Sequence, residues 1–222
     1  MRNRTENQVT LVLIRHGETQ ANKERRYLGR TDESLSEAGR ELLKGYKMQK
    51  LYPQVEYLFI SPMKRCVETA EILYPALNPI FISEWTEMDF GRFEYKNYRE
   101  LKEYAQYQAW IDSGGTLAFP KGESRDDFVR RCESGWVRMW EILSGGSPHQ
   151  EGMCSAPYPK RGREKAESVN AGVIVHGGTI MALLSTYGEK SYFDCQAVNG
   201  KGYICHLSDW GNRARIKEVI PL

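Results

Sequence analysis

The amino-acid sequence predicts an α/β fold, a three-layer α/β/α sandwich around a mostly parallel mixed sheet, and two patterns carry that prediction. Apolar runs rich in β-branched residues recur at Val9–Ile14, Val55–Ile60, Pro79–Ile82 and Ala171–Val175, separated by longer helix-compatible stretches, the alternation that builds a parallel sheet. Near the end of the chain, Tyr203–Leu207 and Ala214–Ile220 flank Asp209-Trp210-Gly211-Asn212. The Gly and Asn suit a turn, so these two strands form an antiparallel hairpin and the sheet is mixed. With 222 residues, 41% of them hydrophobic, the chain can bury one large core, and residues 1–222 read as a single domain.

The helices follow from caps and periodicity. Ser36–Gln49 reads as a helix with Ser36 as N-cap, and Ser124-Arg125-Asp126-Asp127 resembles a capping box opening another. In the second, Phe128, Cys132, Trp136, Met139, Trp140 and Leu143 recur at helical spacing and form one core-facing stripe. Ser61 reads as the cap of a helix whose first position is Pro62, and Ile180–Tyr187 as an apolar helix. Residues 1–8 are polar and charged and read as a flexible N-terminus. Over residues 144–170, Gly and Pro interrupt any periodicity, and Lys160, Arg161, Arg163 and Lys165 make the second half basic. This reads as a surface loop entering the N-terminal end of the strand at Ala171–Val175, away from the strand ends where ligands sit.

Composition removes several function classes. Lys+Arg 31 against Asp+Glu 29 gives no reason to expect a nucleic-acid partner. Cys66, Cys132, Cys154, Cys195 and Cys205 are odd in number and contain no CxxC pair or zinc-ligand spacing. They predict a reduced, cytoplasmic chain without a metal site. No secretory leader and no run of about 20 apolar residues suggests a membrane. Neither charge nor periodicity marks a subunit interface, so the oligomeric state stays open.

Chemistry is concentrated at three strand ends. Val9–Ile14 runs into Arg15-His16-Gly17-Glu18-Thr19, placing a cation and an imidazole together at the C-terminal edge of the sheet. Ala171–Val175 runs into His176-Gly177-Gly178-Thr179 and then a helix, an arrangement whose unpaired N–H groups and positive helix end favour an anion. Val55–Ile60 leads into Ser61-Pro62-Met63-Lys64-Arg65. A cation this early in a helix opposes the macrodipole by about 0.3–1 kcal/mol, a penalty that a bound phosphate reverses.

These residues resemble, in order, the motifs of the histidine phosphatase superfamily, also called the phosphoglycerate mutase-like family. Arg15–Thr19 matches its Arg-His-Gly-Glu-Thr hallmark, and Asn22 follows at the family's distance. Tyr27–Asp32 with Leu35–Gly39, Ser61-Pro62 with Arg65 and Glu68-Thr69-Ala70, Glu87–Gly91, and His176–Thr179 are similar to the successive motifs. The resemblance runs from Val9 to the C-terminal hairpin, apart from the loop. It implies a phosphoglycerate mutase-like fold and a metal-independent, cofactor-free phosphatase acting on a small-molecule phosphate ester. By that resemblance His16 is the nucleophile, and Glu87 the general acid and base. Arg15, Arg65, a charged His176 and Asn22 hold the phosphoryl group, with Gly29 and Gly177 beside it. Glu84, Asp89 and Glu94 are alternatives to Glu87, Asn22 and Gly29 have loop-shaping as an alternative role, and Glu18 and Thr19 suit capping or turn roles.

Departures from the family pattern bear on the substrate. Phe90-Gly91-Arg92-Phe93-Glu94-Tyr95 has Phe for the usual Trp and Tyr for the usual last Gly. Tyr98, Tyr104, Tyr107 and Trp110 fall in the family's lid region, where packing is favoured over contact with a leaving group. Residues 87–110 and 119–124 look most like α-ribazole phosphatase-type members. Thr19 and Ala21 stand where mutases usually carry Ser and Trp, which favours hydrolysis over mutase chemistry. A catalytically idle phospholigand binder, using the basic residues of 160–165 as a partner surface, is the remaining alternative.

Overall fold

The computed structural model describes residues 8–144, 168–208, 211 and 214–222. Among them six strands form one sheet: β1 (Gln8–Arg15), β2 (Tyr57–Ile60), β3 (Ile80–Phe81), β4 (Ser168–Val175), β5 (Gly202–Leu207) and β6 (Ile216–Pro221), in the order β3-β2-β4-β1-β5-β6. The pairs β1–β4, β2–β4 and β2–β3 are parallel, whereas β1–β5 and β5–β6 are antiparallel. Arg15 lies opposite Val175 in the ladder. His16 and His176 therefore leave adjacent strands at the same edge of the sheet.

Helices α1 (Gln20–Lys23), α2 (Glu37–Met48), α3 (Lys64–Leu73), α4 (Tyr98–Leu101), α5 (Ala105–Asp112), α6 (Arg125–Leu143) and α7 (Gly177–Tyr187) complete the fold. Strand alternation sorts β1 between two cores. Leu11 and Leu13 join Phe128, Trp136 and Trp140 of α6 and Leu183 and Leu184 of α7 on one face. Val12 and Ile14 join Leu43 of α2 and Cys66 and Leu73 of α3 on the other. Each such buried side chain contributes about 1.5–3 kcal/mol, so both faces of the sheet are anchored. The α6 stripe is core as read from periodicity, with Phe128, Cys132, Trp136, Met139 and Trp140 buried and Leu143 partly so.

The boundaries differ from the sequence expectations in several places. Gln8 belongs to β1 rather than to a flexible terminus, and residues 1–7 lie outside the described residues. β4 begins at Ser168, so Ser168–Asn170 are strand and not loop: they pair with Gln8–Thr10, and extending the ladder satisfies their backbone groups. The rest of the expected loop, residues 145–167 with the basic cluster and Cys154, lies outside the described residues, as do Asp209, Trp210 and Asn212 of the hairpin turn. β2 starts at Tyr57 and β3 is only two residues long, an edge strand.

The start of α3 needs a larger correction. Its N-cap is Met63, and Ser61 does not cap it. The Ser61 hydroxyl instead lies 2.8 Å from Nε2 of His176, while the free N–H of Lys64 donates to Asp32 Oδ1 at 2.7 Å. An aspartate from another loop thus satisfies the orphan donor and releases the serine for the sheet edge. Among the described residues no helix is long and apolar enough to cross a membrane, and Cys66, Cys132, Cys195 and Cys205 are free and buried.

Candidate active site

His16 is set by its own backbone turn. Its Nδ1 lies 2.7 Å from the carbonyl oxygen of Gly17. A carbonyl can only accept, so Nδ1 carries the proton and the lone pair resides on Nε2. The Gly17 N–H in turn donates to Thr69 Oγ1 at 3.0 Å, tying the turn to α3. Burial, then the nearby Arg65 and Arg15 charges, hold His16 well below the ordinary 6.5. It is neutral, and His16 and His176 stand edge to face with ring centroids 5.2 Å apart.

Arg65 is fully buried. It donates from Nη1 to Thr31 O, from Nη2 to Gly29 O, both at 2.9 Å, and from Nε to His176 Nδ1 at 3.2 Å. Among the described residues no carboxylate forms an ion pair with Arg65 or Arg15. Buried positive charge hydrogen-bonded to carbonyls and a neutral ring, with no directly paired carboxylate, costs free energy that an anionic ligand returns. Arg15 donates from Nη1 to Ala197 O at 2.8 Å, and its buried Nε has no hydrogen-bond partner among the described residues. Burial lowers its pKa, with the Glu87 carboxylate acting in the opposite direction.

His176 takes a form different from the charged one expected. Nδ1 accepts from Arg65, so the proton sits on Nε2, facing Ser61 Oγ. Burial, with Arg65 next, holds it far below 6.5, and both nitrogens are engaged. Its immediate role is to orient Arg65.

Of the four acidic candidates, the geometry brings only Glu87 to the charged cluster. Glu87 is 8% exposed and accepts from Met88 N–H at 2.9 Å and Gly178 N–H at 3.3 Å. Burial raises its pKa in spite of those bonds and of Arg65 and Arg15. A Cβ on Gly178 would meet Glu87 Oε1 at 2.4 Å, so glycine there makes room for the carboxyl. Glu84 instead pairs with Arg138 at 3.2 Å, Asp89 accepts from Gly91 N–H, and Glu94 accepts from the N–H groups of Gly29 and Thr31.

Asn22 and Gly29 are both tied into loops beside the site. Thr19 and Asn22 form a reciprocal capping box at α1, the capping role read for Thr19. Asn22 Oδ1 also accepts from Asn199 Nδ2 at 3.0 Å, which commits the oxygen and leaves the amide N–H groups as its donors. Gly29 spends its N–H on Glu94 and its carbonyl on Arg65; a Cβ there would meet Met88 O at 2.1 Å. Gly177 opens α7, the end where backbone N–H groups lack helical acceptors. Sequence reasoning missed three supports: Thr69, Asn199 and Arg131. Arg131 donates to the carbonyls of Glu84, Thr86 and Glu87 and pairs with Glu123 at 2.9 Å, fixing the segment that carries Glu87. Only Thr69 lay within a motif.

The expected lid is mostly a packed wall. Tyr107 is buried, its hydroxyl 3.0 Å from that of Tyr27, and its ring stacks on Trp110. Tyr98 and Tyr104 are exposed. Among the described residues no cluster of three or more His, Cys, Asp or Glu side chains could hold a metal ion.

Residues 11–147 match the family model of the histidine phosphatase superfamily, branch 1. A bifunctional protein of Mycobacterium tuberculosis is 30% identical over 136 residues, 58% of this chain and 36% of that protein, so the chain spans about a third of that relative's length. The Escherichia coli protein named "Probable phosphoglycerate mutase GpmB" is 29% identical over 142 residues, 62% of this chain and 66% of the relative. The α-ribazole phosphatase of Shigella flexneri superposes with a TM-score of 0.71 at 22% identity, covering 95% of each chain. The phosphoglycerate mutase of Thermus thermophilus gives 0.61 at 25%, covering 97% of this chain and 99% of that one.

Proposed function

The chain belongs to the histidine phosphatase superfamily, and we propose that within it this protein is a metal-independent phosphomonoesterase working through phospho-His16 on a small phosphorylated metabolite in the cytoplasm. The observation that carries the reading is the His16 Nδ1 contact with Gly17 O, which leaves an unprotonated Nε2 among buried cations. That nitrogen attacks phosphorus and the ester P–O bond breaks. Arg15 and Arg65 stabilise the charge spread over the phosphoryl oxygens, with the N–H groups of Asn22 and Gly177 as further donors. Glu87, whose pKa burial raises, gives its proton from the carboxylic-acid form to the departing oxygen. As carboxylate it then takes a proton from water, whose oxygen attacks phosphorus, breaks the P–N bond and releases orthophosphate.

The test is a phosphatase screen in EDTA, comparing wild type with His16→Ala on an activated aryl phosphate, α-ribazole phosphate, phosphoglycerates, sugar phosphates and nucleotides. Turnover that survives EDTA and vanishes in folded His16→Ala is the expected result. A metal requirement, or near-normal turnover by the variant, contradicts the reading. A mutase is the second reading, favoured by the names of the Escherichia coli and Thermus relatives. It predicts that phospho-His16 persists until a phosphoglycerate accepts the group. Absence of any turnover, with or without a phosphoglycerate primer, would favour an idle binder.

A further inference from the structure

We propose that Asn199 is a positioning residue for the nucleophile, acting through Asn22 and the backbone of His16; this rests on the reading of His16 as the attacking group. Asn199 is half-buried in the segment between the turn Tyr192–Cys195 and β5. That segment grips the nucleophile loop at successive points. Ala197 O accepts from Arg15 Nη1 at 2.8 Å, and Lys201 O from Arg15 N–H at 2.9 Å. Gly200 N–H donates to Arg15 O and His16 O at 3.0 and 3.1 Å. The Asn199 side chain gives His16 O a second donor and reaches two further acceptors: Nδ2 donates to His16 O at 3.1 Å, Gly17 O at 3.4 Å and Asn22 Oδ1 at 3.0 Å.

Those acceptors fix the chemistry of position 199. All three are oxygens, so the position calls for a donor, which the two amide hydrogens of Asn199 supply, and a carboxylate would repel all of them. Asn22 Oδ1 is held by two donors, Asn199 Nδ2 and Thr19 N–H, which sets the amide orientation and keeps the Asn22 N–H groups free for a phosphoryl oxygen. The carbonyl of Gly17, which holds the His16 proton on Nδ1, is the weakest of the three Asn199 contacts. One side chain from outside the matched residues 11–147 thus constrains the ring that attacks and a donor that receives the charge.

The experiment measures phosphohistidine formation by rapid quench with an aryl phosphate, together with KM and the imidazole nitrogen signals of His16. Asn199→Ala is expected to slow formation about 10- to 100-fold with little change in KM, the scale of a displaced reacting group. It should also mix the His16 tautomers. Asn199→Asp keeps the size and reverses the polarity, so it is expected to lose at least as much and carries the test if the alanine variant folds poorly. In an Asn22→Ala background the loss caused by Asn199→Ala should shrink to a few-fold. Wild-type formation rates in both Asn199 variants, with His16→Ala inert, overturn this proposal alone. An undiminished loss in the Asn22→Ala background with unchanged His16 signals also overturns it. Phosphoenzyme formed by His16→Ala overturns the nucleophile assignment and this proposal with it.

Discussion

At the edge of β1 and β4 the protein buries polar groups and charge: His16, Arg65, Glu87 and His176 are all less than a tenth exposed. The adjoining wall of Tyr27, Phe90, Phe93, Tyr107, Trp110 and Phe119 is built from ring contacts, centroids 4.9–6.3 Å apart. The two regions are joined covalently, since Tyr27 precedes Gly29, which holds Arg65, and Phe90 follows Glu87. Their difference separates two tasks. Buried charge with little protein neutralisation is costly to stability and useful to catalysis, whereas apolar ring packing stabilises and shapes. Substitutions in the first region should therefore damage turnover more than folding, and those in the second the reverse.

The largest effect that sharpens this contrast is at the acid. Glu87→Gln should lower kcat about 10²- to 10⁴-fold for alkyl phosphates, whose leaving groups need a proton, and much less for activated aryl phosphates. Equal losses on both would remove Glu87 from the acid role. The pH dependence has a defined sign. Burial raises the Glu87 pKa, so wild-type kcat on alkyl phosphates falls as pH rises through that raised value, and the variant lacks this basic limb.

In the wall, Tyr107→Ala removes a buried ring and should cost about 3 kcal/mol of stability by chemical denaturation. Its kcat on an aryl phosphate should stay within about tenfold of wild type, in keeping with a group that does not touch the phosphoryl. A collapse of kcat with unchanged stability would erase the distinction between the two regions.

The smallest effect comes from the buried imidazoles. Both histidines have folded-state pKa values below the ordinary 6.5. Below pH 6.5 the unfolded chain binds protons that the native state refuses, so the stability present above 6.5 is lost as pH falls toward the folded values. Each contributes a slope of up to about 1.4 kcal/mol per pH unit. His176→Asn should flatten the decline of stability between about pH 6.5 and 5; an unchanged slope would mean that the ring is not held neutral.

Much of the contrast was legible in the sequence because it is encoded locally. β-branched runs fixed the strands to within a few residues, and Ser36 and Ser124 cap α2 and α6 as their positions suggest. The two histidines were readable because each directly follows a strand. What escaped depends on distant partners. Ser61 looks like a cap in sequence, yet pairs with His176, 115 residues away. Asn199 lies in none of the motifs, and its acceptors lie 177 to 183 residues earlier. Tyr95 stands where the family often has glycine and adopts φ +60°, a left-handed conformation held by Tyr27 O, by Glu33 and by Arg26 over its ring. Spacing carries no signal for such pairings.

The central claim is tested most directly by trapping the covalent intermediate. Wild-type protein mixed with an activated aryl phosphate in EDTA, denatured within milliseconds in base and digested, should yield one phosphorylated peptide. Its phosphoryl group should be on His16, acid-labile and base-stable, and absent from His16→Ala. A phosphoryl group on any other residue, or turnover with no phosphorylated peptide at any quench time, would contradict the account.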